Sequence, residues 1–322
     1  MAQQQGTNVK LVIDTEVTYK TSPTPDGMVL PFISESLGMN RALSSSKTIR
    51  SARNPQMPVR GRQDVTGSIN FELSPQYGRL MKHIFGDYAV TGASAPYTHT
   101  YKVGSLPVGM VIEKQFTDLA TAKYVVFNGL RVNQFKFSAK DTDFISCSVD
   151  LIGAKQTIGG TAYDATLTDL GHTPFDGMEV AITQGGVSLA TGLSIDFTLS
   201  NNLDGNNYCI GGAGERASLP AGQAAVSGNL KAVFDSTTLL DLALANTETS
   251  LVIDLTKGAG TGASAGNEKL TFTFDEIKFS PKTPVVSGPT GLQVDLDFIG
   301  YFDNGASSSA IKAVLLSPTA AF

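Results

Sequence analysis

The sequence predicts a mainly β protein of two tandem sandwich or barrel units, each flanked by one α-helix. Three observations carry that expectation: strict alternation of apolar and polar residues in many short stretches, only two segments with helical patterning, and an ordered set of repeated segments half a chain apart. The 322 residues suit about two domains.

Alternation is clearest in Leu193-Ser194-Ile195-Asp196-Phe197-Thr198-Leu199-Ser200, in Ile145-Ser146-Cys147-Ser148-Val149-Asp150-Leu151, and in Leu292-Gln293-Val294-Asp295-Leu296-Asp297-Phe298. A period of two sends successive side chains to opposite faces of a sheet, one buried and one wet. Further strands are expected at 67–73, 123–127, 132–138, 228–234, 250–255 and 270–279, with Asn128-Gly129 reading as a turn between two of them.

The stronger helix signal runs from Ser74 to Gly86. Ser74 is placed to cap, Pro75 suits the first turn, Gly86 suits the end, and Tyr77, Leu80, Met81, Ile84 and Phe85 form one apolar stripe. His83 then falls on the helix surface. A second helix is expected over 236–245, with Asp235 as cap and Leu239, Leu240, Leu242, Ala243 and Leu244 inside.

Both helices follow related segments. Val65-Thr66-Gly67-Ser68-Ile69 precedes the first and Val226-Ser227-Gly228-Asn229-Leu230 the second, an offset of 228 − 67 = 161 residues. Phe135-Lys136-Phe137-Ser138 returns as Ile277-Lys278-Phe279-Ser280, and Val149-Asp150-Leu151-Ile152-Gly153 as Leu296-Asp297-Phe298-Ile299-Gly300. Three matches in one order imply an internal duplication. It divides the chain into units 1–165 and 166–322, joined by a segment of linker composition near 160–175.

Composition excludes several classes. Charged residues make up 16%, against about 25% in ordinary domains, so much of the outer surface is expected to be covered by partners. A net charge of −5 lacks the basic footprint of a nucleic-acid-binding protein. Cys147, Cys209, His83, His99 and His172 are unpaired in sequence and do not form a zinc pattern; Cys147 reads as a buried strand residue, and a Cys147–Cys209 disulfide is left open. No apolar run approaches a membrane span of about 18 residues. The start, Met1-Ala2-Gln3-Gln4-Gln5, lacks the pattern of a signal peptide, so synthesis and assembly in a cytoplasm are expected.

Catalytic motifs are wanting. Gly258-Ala259-Gly260-Thr261-Gly262-Ala263 has the spacing of a dinucleotide fingerprint, but a strand pattern follows where a helix would have to hold the pyrophosphate, so it reads as a hairpin connection. Asp141 and Asp143, and Asp295 and Asp297, are carboxylate pairs; the second pair projects from one strand toward one side, unlike an acid–base pair facing across a cleft. No catalytic, cofactor-binding or metal residue is expected.

Two groups of residues are candidates for assembly. Arg41, Lys47, Arg50, Arg53, Arg60 and Arg62 stand without an acidic residue among them in a segment, 41–63, that reads as a long docking loop. Glu72, Asp150, Asp196, Asp295 and Asp297 lie on the polar side of alternating strands.

The chain resembles the tail tube proteins, or major tail proteins, of long-tailed bacteriophages. The resemblance rests on Ile33-Ser34-Glu35-Ser36-Leu37, on Pro58-Val59-Arg60-Gly61-Arg62-Gln63-Asp64-Val65-Thr66-Gly67-Ser68, on the helix at 75–85, on Tyr97-Thr98-His99-Thr100-Tyr101 and on Ser148-Val149-Asp150-Leu151-Ile152-Gly153. It implies tail-tube-type units that form rings of six domains and stack into a hollow tube in the virion. Sheets of neighbouring units would join into an inner barrel through which DNA and the tape measure protein pass, with other tail proteins at the tube ends. With two units per chain, a ring would be a trimer. A secreted β-sandwich adhesin or surface-layer protein is the alternative reading.

Overall fold

The computed structural model describes residues 3–286, 288 and 291–322. The first half contributes β1 (Lys10–Glu16), β2 (Met28–Val29), β3 (Ser34–Glu35), β4 (Gly38–Ser44), β5 (Val59–Glu72), α1 (Gly78–Phe85), β6 (Gly86–Thr91), β7 (Tyr97–Val103), β8 (Gly109–Phe116), β9 (Lys123–Lys140), β10 (Ser146–Gly153) and β11 (Lys155–Gly159). The second contributes β12 (Val180–Gln184), β13 (Val187–Ser188), β14 (Gly192–Ser200), β15 (Ala225–Val233), α2 (Thr238–Leu244), β16 (Thr249–Thr256), β17 (Lys269–Phe279), β18 (Gln293–Tyr301) and β19 (Lys312–Ser317). The chain is mainly β, as the alternation predicts.

The pairing order is the same in both halves. In the first, β2, β1, β8, the start of β9 and β11 make one layer, and β3 with β4, then β5, β10 and the end of β9 make the other. In the second, β13, β12, β16, the start of β17 and β19 make one layer, and β14, β15, β18 and the end of β17 the other. The end of β9 also pairs with β14, with Phe137 opposite Phe197 and Ser138 opposite Asp196. One sheet thus runs unbroken from β3 to β17 across both halves. A second joint comes from the β6–β7 hairpin, which adds to β19.

The buried side of the long sheet explains the apolar half of the alternation. Phe71, Cys147, Phe137, Phe197, Gly228, Phe298 and Phe279 are successive cross-strand partners on seven strands. Phe137 and Phe197 stack at 4.8 Å, and both meet Phe272 edge-on at 5.3 and 5.2 Å. Such pairs contribute roughly 0.5–1.5 kcal/mol beyond area burial. Gly228 is required in this row, because a Cβ there would lie 2.3 Å from the Phe298 ring and 2.4 Å from the Asp196 carbonyl oxygen. Gly67, its counterpart in the repeat, is pinned by the backbone of Leu37 at 2.3 Å.

Several local expectations are corrected. Asn128-Gly129 is not a turn: β9 runs through it for 18 residues. Gly129, with φ +65°, bends the strand where it leaves one layer for the other. The amide of Gly129 and the side chain of Asn128 both donate to the buried Glu16 carboxylate, which holds the bend without a chain reversal. Ser74 makes no side-chain cap; a 3-10 turn, Pro75–Tyr77, starts the helix instead. Gly86 ends α1 as expected. His83 is buried rather than on the surface, because α1 lies within the core with Thr15 of β1 against the imidazole at 3.0 Å. In the second helix Asp235 gives way to Thr237 at the N-cap position, and Leu244 is exposed, since that helix is only seven residues long. Gly258–Ala263 does lie in the β16–β17 connection. Cys147 is buried, Cys209 is exposed, and no disulfide joins them.

Adding a methyl group at Gly228 cannot be absorbed, since one colliding atom belongs to the backbone. Gly228→Ala is expected to cost about 3 kcal/mol in urea unfolding, whereas Gly160→Ala, which meets nothing within 4 Å, should leave the midpoint unchanged.

Candidate assembly and channel surfaces

The wet face of the long sheet gathers all five acidic candidates. Glu72, Ser146, Ser138, Asp196, Asn229 and Asp297 are successive partners across six strands. In an antiparallel ladder opposed residues project to the same side, so this row is polar from end to end. Asp150 lies two residues along β10 from Ser148 and pairs with Ser68 and Gln134 on the same side. Asp295 pairs with Lys231. The Asn229 amide donates to Asp295 and Asp297 at 2.6 and 2.8 Å. The Asn229 bond, with Lys282 at 3.2 Å, outweighs the opposing effect of partial burial and brings the Asp295 carboxyl below its usual range.

The face is not purely acidic. Lys136, Lys140, Lys231 and Lys278 share it, and Lys136 reaches Asp150 at 3.5 Å. Their codes alternate with the apolar residues just as the aspartates do, so the pattern was visible, but only register shows that the two signs stand side by side. Ion pairs at such exposure contribute about 0–1 kcal/mol; their effect is on surface potential.

The basic segment is a hairpin, not a loop. Arg41 lies in β4, Arg60 and Arg62 lie in β5, and only Lys47, Arg50 and Arg53 belong to the connection 45–58. Pairing of Met39 with Val65 and Leu43 with Arg60 extends the two strands well past the sheet. The hairpin carries exposed apolar side chains as well: Ile49 is 96% and Met57 86% exposed.

Part of its charge is used within the chain. Arg41 donates to the Gly61 and Ala213 carbonyls at 2.9 and 3.0 Å. Arg62 stacks 4.7 Å from the Tyr208 ring. Tyr208 donates to the Gln63 carbonyl at 2.9 Å, and the Gln63 amide to Gly214 at 2.7 Å. Beneath them the buried Arg216 bonds the Asp64 carboxylate and the Val65, Gly153 and Gly205 carbonyls. The second-half segment 201–217 is therefore a brace for the root of the hairpin. Arg216 was invisible in sequence, being a lone arginine among Gly, Asn and Ser without periodicity.

A buried network fixes the segment near 160–175. Arg79 pairs with Asp14 at 3.4 Å and Asp26 at 2.8 Å, and the Tyr163 hydroxyl donates to Asp14 at 2.7 Å. Asp164 accepts from the Thr166 and Gly27 amides, which lower its carboxyl below the usual range. Phe175 is fully buried, with its backbone bonded to Leu73 and Ile145. Among the described residues, no three His, Cys, Asp or Glu side chains converge as a metal site would need.

These features describe a β scaffold with broad contact surfaces. The family model for the phage tail tube protein matches residues 6–300, nearly the whole chain. The chain belongs to the phage tail tube protein family and is a structural protein of the virion tail. No curated protein matches the sequence.

Burial, reinforced by Lys82, Arg79 and Arg131, depresses the His83 pKa from 6.5 to about 3. Between those values the unfolded chain takes up a proton that the folded chain refuses, so stability falls as pH drops below about 6.5. At pH 5 the loss approaches about 2 kcal/mol. His83→Gln should therefore show a smaller drop in thermal midpoint between pH 7.5 and pH 5 than the wild type; an unchanged drop would exclude His83 as its source.

Proposed function

We propose that three chains close a ring of six tube units, each chain supplying two, and that rings stack into a hollow tube. The observation that carries this reading is the β9–β14 joint. It joins the last strand of one unit's long sheet to the first strand of the other's. The corresponding strands at the chain's two ends, β17 and β3, have no strand partner on their outer sides among the described residues, apart from Thr249 opposite Ile277. A head-to-tail contact of this kind generates a ring when its rotation closes.

In that arrangement the long sheet's wet face, with Glu72, Asp150, Asp196, Asp295 and Asp297, lines the lumen. DNA must slide there without binding. Carboxylates repel phosphate, and the neighbouring lysines are partly neutralised by them, which limits the counterion release that drives DNA binding. The tape measure protein would occupy the lumen before DNA, and other tail proteins would cap the tube ends. Electron cryo-microscopy of assembled tubes tests both points. Three chains per ring and this face on the lumen are expected. Six chains per ring, or a lumen lined mainly by Lys and Arg, would overturn the reading.

The β4–β5 hairpin is the stacking element in this reading, because it projects from the sheet with exposed Ile49 and Met57 beside Lys47, Arg50 and Arg53. Replacing these three basic residues with Ser should leave the thermal midpoint unchanged and shorten or abolish tubes. Arg41, Arg62 and Arg216 are poor test sites, since they brace the fold. Tubes of normal length from the triple variant would remove the hairpin's charge from stacking.

A further inference from the structure

The open outer side of the first unit's sheet is occupied by two charged side chains of its own. Ser36 donates its amide to Ser68 of β5 at 2.9 Å, so the next residue, Leu37, turns its backbone groups away from β5. There the Leu37 amide donates to the Glu35 carboxylate at 2.8 Å, and the Leu37 carbonyl accepts from the Lys114 ammonium at 2.5 Å. Glu35 and Lys114 also pair with each other at 2.5 Å. Lys114 rises from β8 through the space between the layers, with its ammonium 5.5 Å from the Phe127 ring, and is largely buried.

The second unit offers the comparison. Glu35 is opposite Ile69, and Ile195 is opposite Leu230, the repeat counterpart of Ile69. Met110-Val111-Ile112-Glu113-Lys114 aligns with Leu251-Val252-Ile253-Asp254-Leu255, since Ile112 faces Phe127 and Ile253 faces Phe272 two residues before each end. Glu35 and Lys114 therefore correspond to Ile195 and Leu255, both fully buried. The polar pair stands where the sheet edge has no strand partner among the described residues, and the apolar pair where β9 already covers the edge.

We propose that Glu35 and Lys114 form a removable cap on this edge, displaced when the β17 edge of a second copy adds to it. The inference rests on the ring reading above. The register follows from the joint inside the chain, where Phe137 faces Phe197 and Ser138 faces Asp196: Phe279 would face Leu37 of the neighbour, and Ser280 would face Ser36. An unpaired strand edge invites uncontrolled pairing. A buried ion pair that satisfies its backbone groups blocks it, yet its side chains can swing aside. The cap would thus keep single chains apart until a growing ring supplies the partner strand.

The test replaces the cap with the second unit's residues, Glu35→Ile with Lys114→Leu, in the full chain. Substituting both members avoids stranding one buried charge; Glu35→Leu with Lys114→Met serves if the first pair does not fold. Sedimentation velocity should show association at a concentration at least tenfold below that of the wild type. Ser36→Cys with Ser280→Cys, in a Cys209→Ser background, should then give interchain disulfides on non-reducing gels. A folded uncapped variant that associates at the wild-type concentration or above overturns the cap. So does an associated fraction that does not cross-link. Three-chain rings that form without this cross-link would leave the ring reading standing and remove the cap alone. Rings of six chains would remove the ring reading, while the cross-link would still decide the edge.

Discussion

The end of β9 is the strand on which the rest of the structure depends. Residues 134–138 are bonded to β10 on one side and to β14 on the other, so they belong to both halves. A central strand satisfies its backbone groups only if both neighbours are present. The aromatic rings of Phe135, Phe137, Phe197, Phe272 and Phe274 close over the same joint. Separating the halves would expose an open ladder and that aromatic cluster together. The joint therefore fixes the two halves of the chain to each other.

The same geometry sorts the polar groups. On the wet side of the long sheet, carboxylates and lysines remain solvated and near one another. Between the layers, the buried carboxylates Glu16 and Glu113 are met by hydrogen bonds, whereas the buried Tyr19 and Tyr101 hydroxyls have no partner among the described residues. Glu16 accepts from Gly129, Asn128 and Lys20, yet burial still raises its pKa. Burial likewise raises that of Glu113, despite bonds from Gln115 and Tyr163. His99 stays neutral-leaning through burial, stacked on Tyr88 and bonded to Thr319. These groups tie the strands to the intervening segments, and that is why the stretch after β11 is held against the first half despite its linker composition.

Low overall charge takes on a physical meaning in this setting. A family of proteins that build a tube must bury edges and loops against copies of themselves. The exposed apolar residues of the β4–β5 hairpin and the outer sides of β3 and of the end of β17, which among the described residues have no strand partner apart from Thr249 opposite Ile277, are where this chain leaves such surfaces. The departures between the halves are informative for the same reason: residues that differ while the backbone stays alike record a difference in what each half touches.

Alternation in 193–200 and 292–298, the apolar stripe of α1 and the three repeated segments were enough to determine a β-rich chain with two helices, because side-chain periodicity is a local consequence of backbone geometry. The five carboxylates could be assigned to wet strand faces for the same reason. Which strands neighbour one another is a long-range matter. Only the folded structure places Glu72 beside Ser146 and Asp196 beside Asn229, puts lysines among them, turns the segment 41–63 into a hairpin and carries β9 through Asn128-Gly129. Arg216, Arg79 and Lys114 lie beyond any periodic signal, since each is a single residue whose partners come from distant parts of the chain. A hydrogen bond to a carbonyl more than 50 residues away leaves no trace in the residues on either side of the donor.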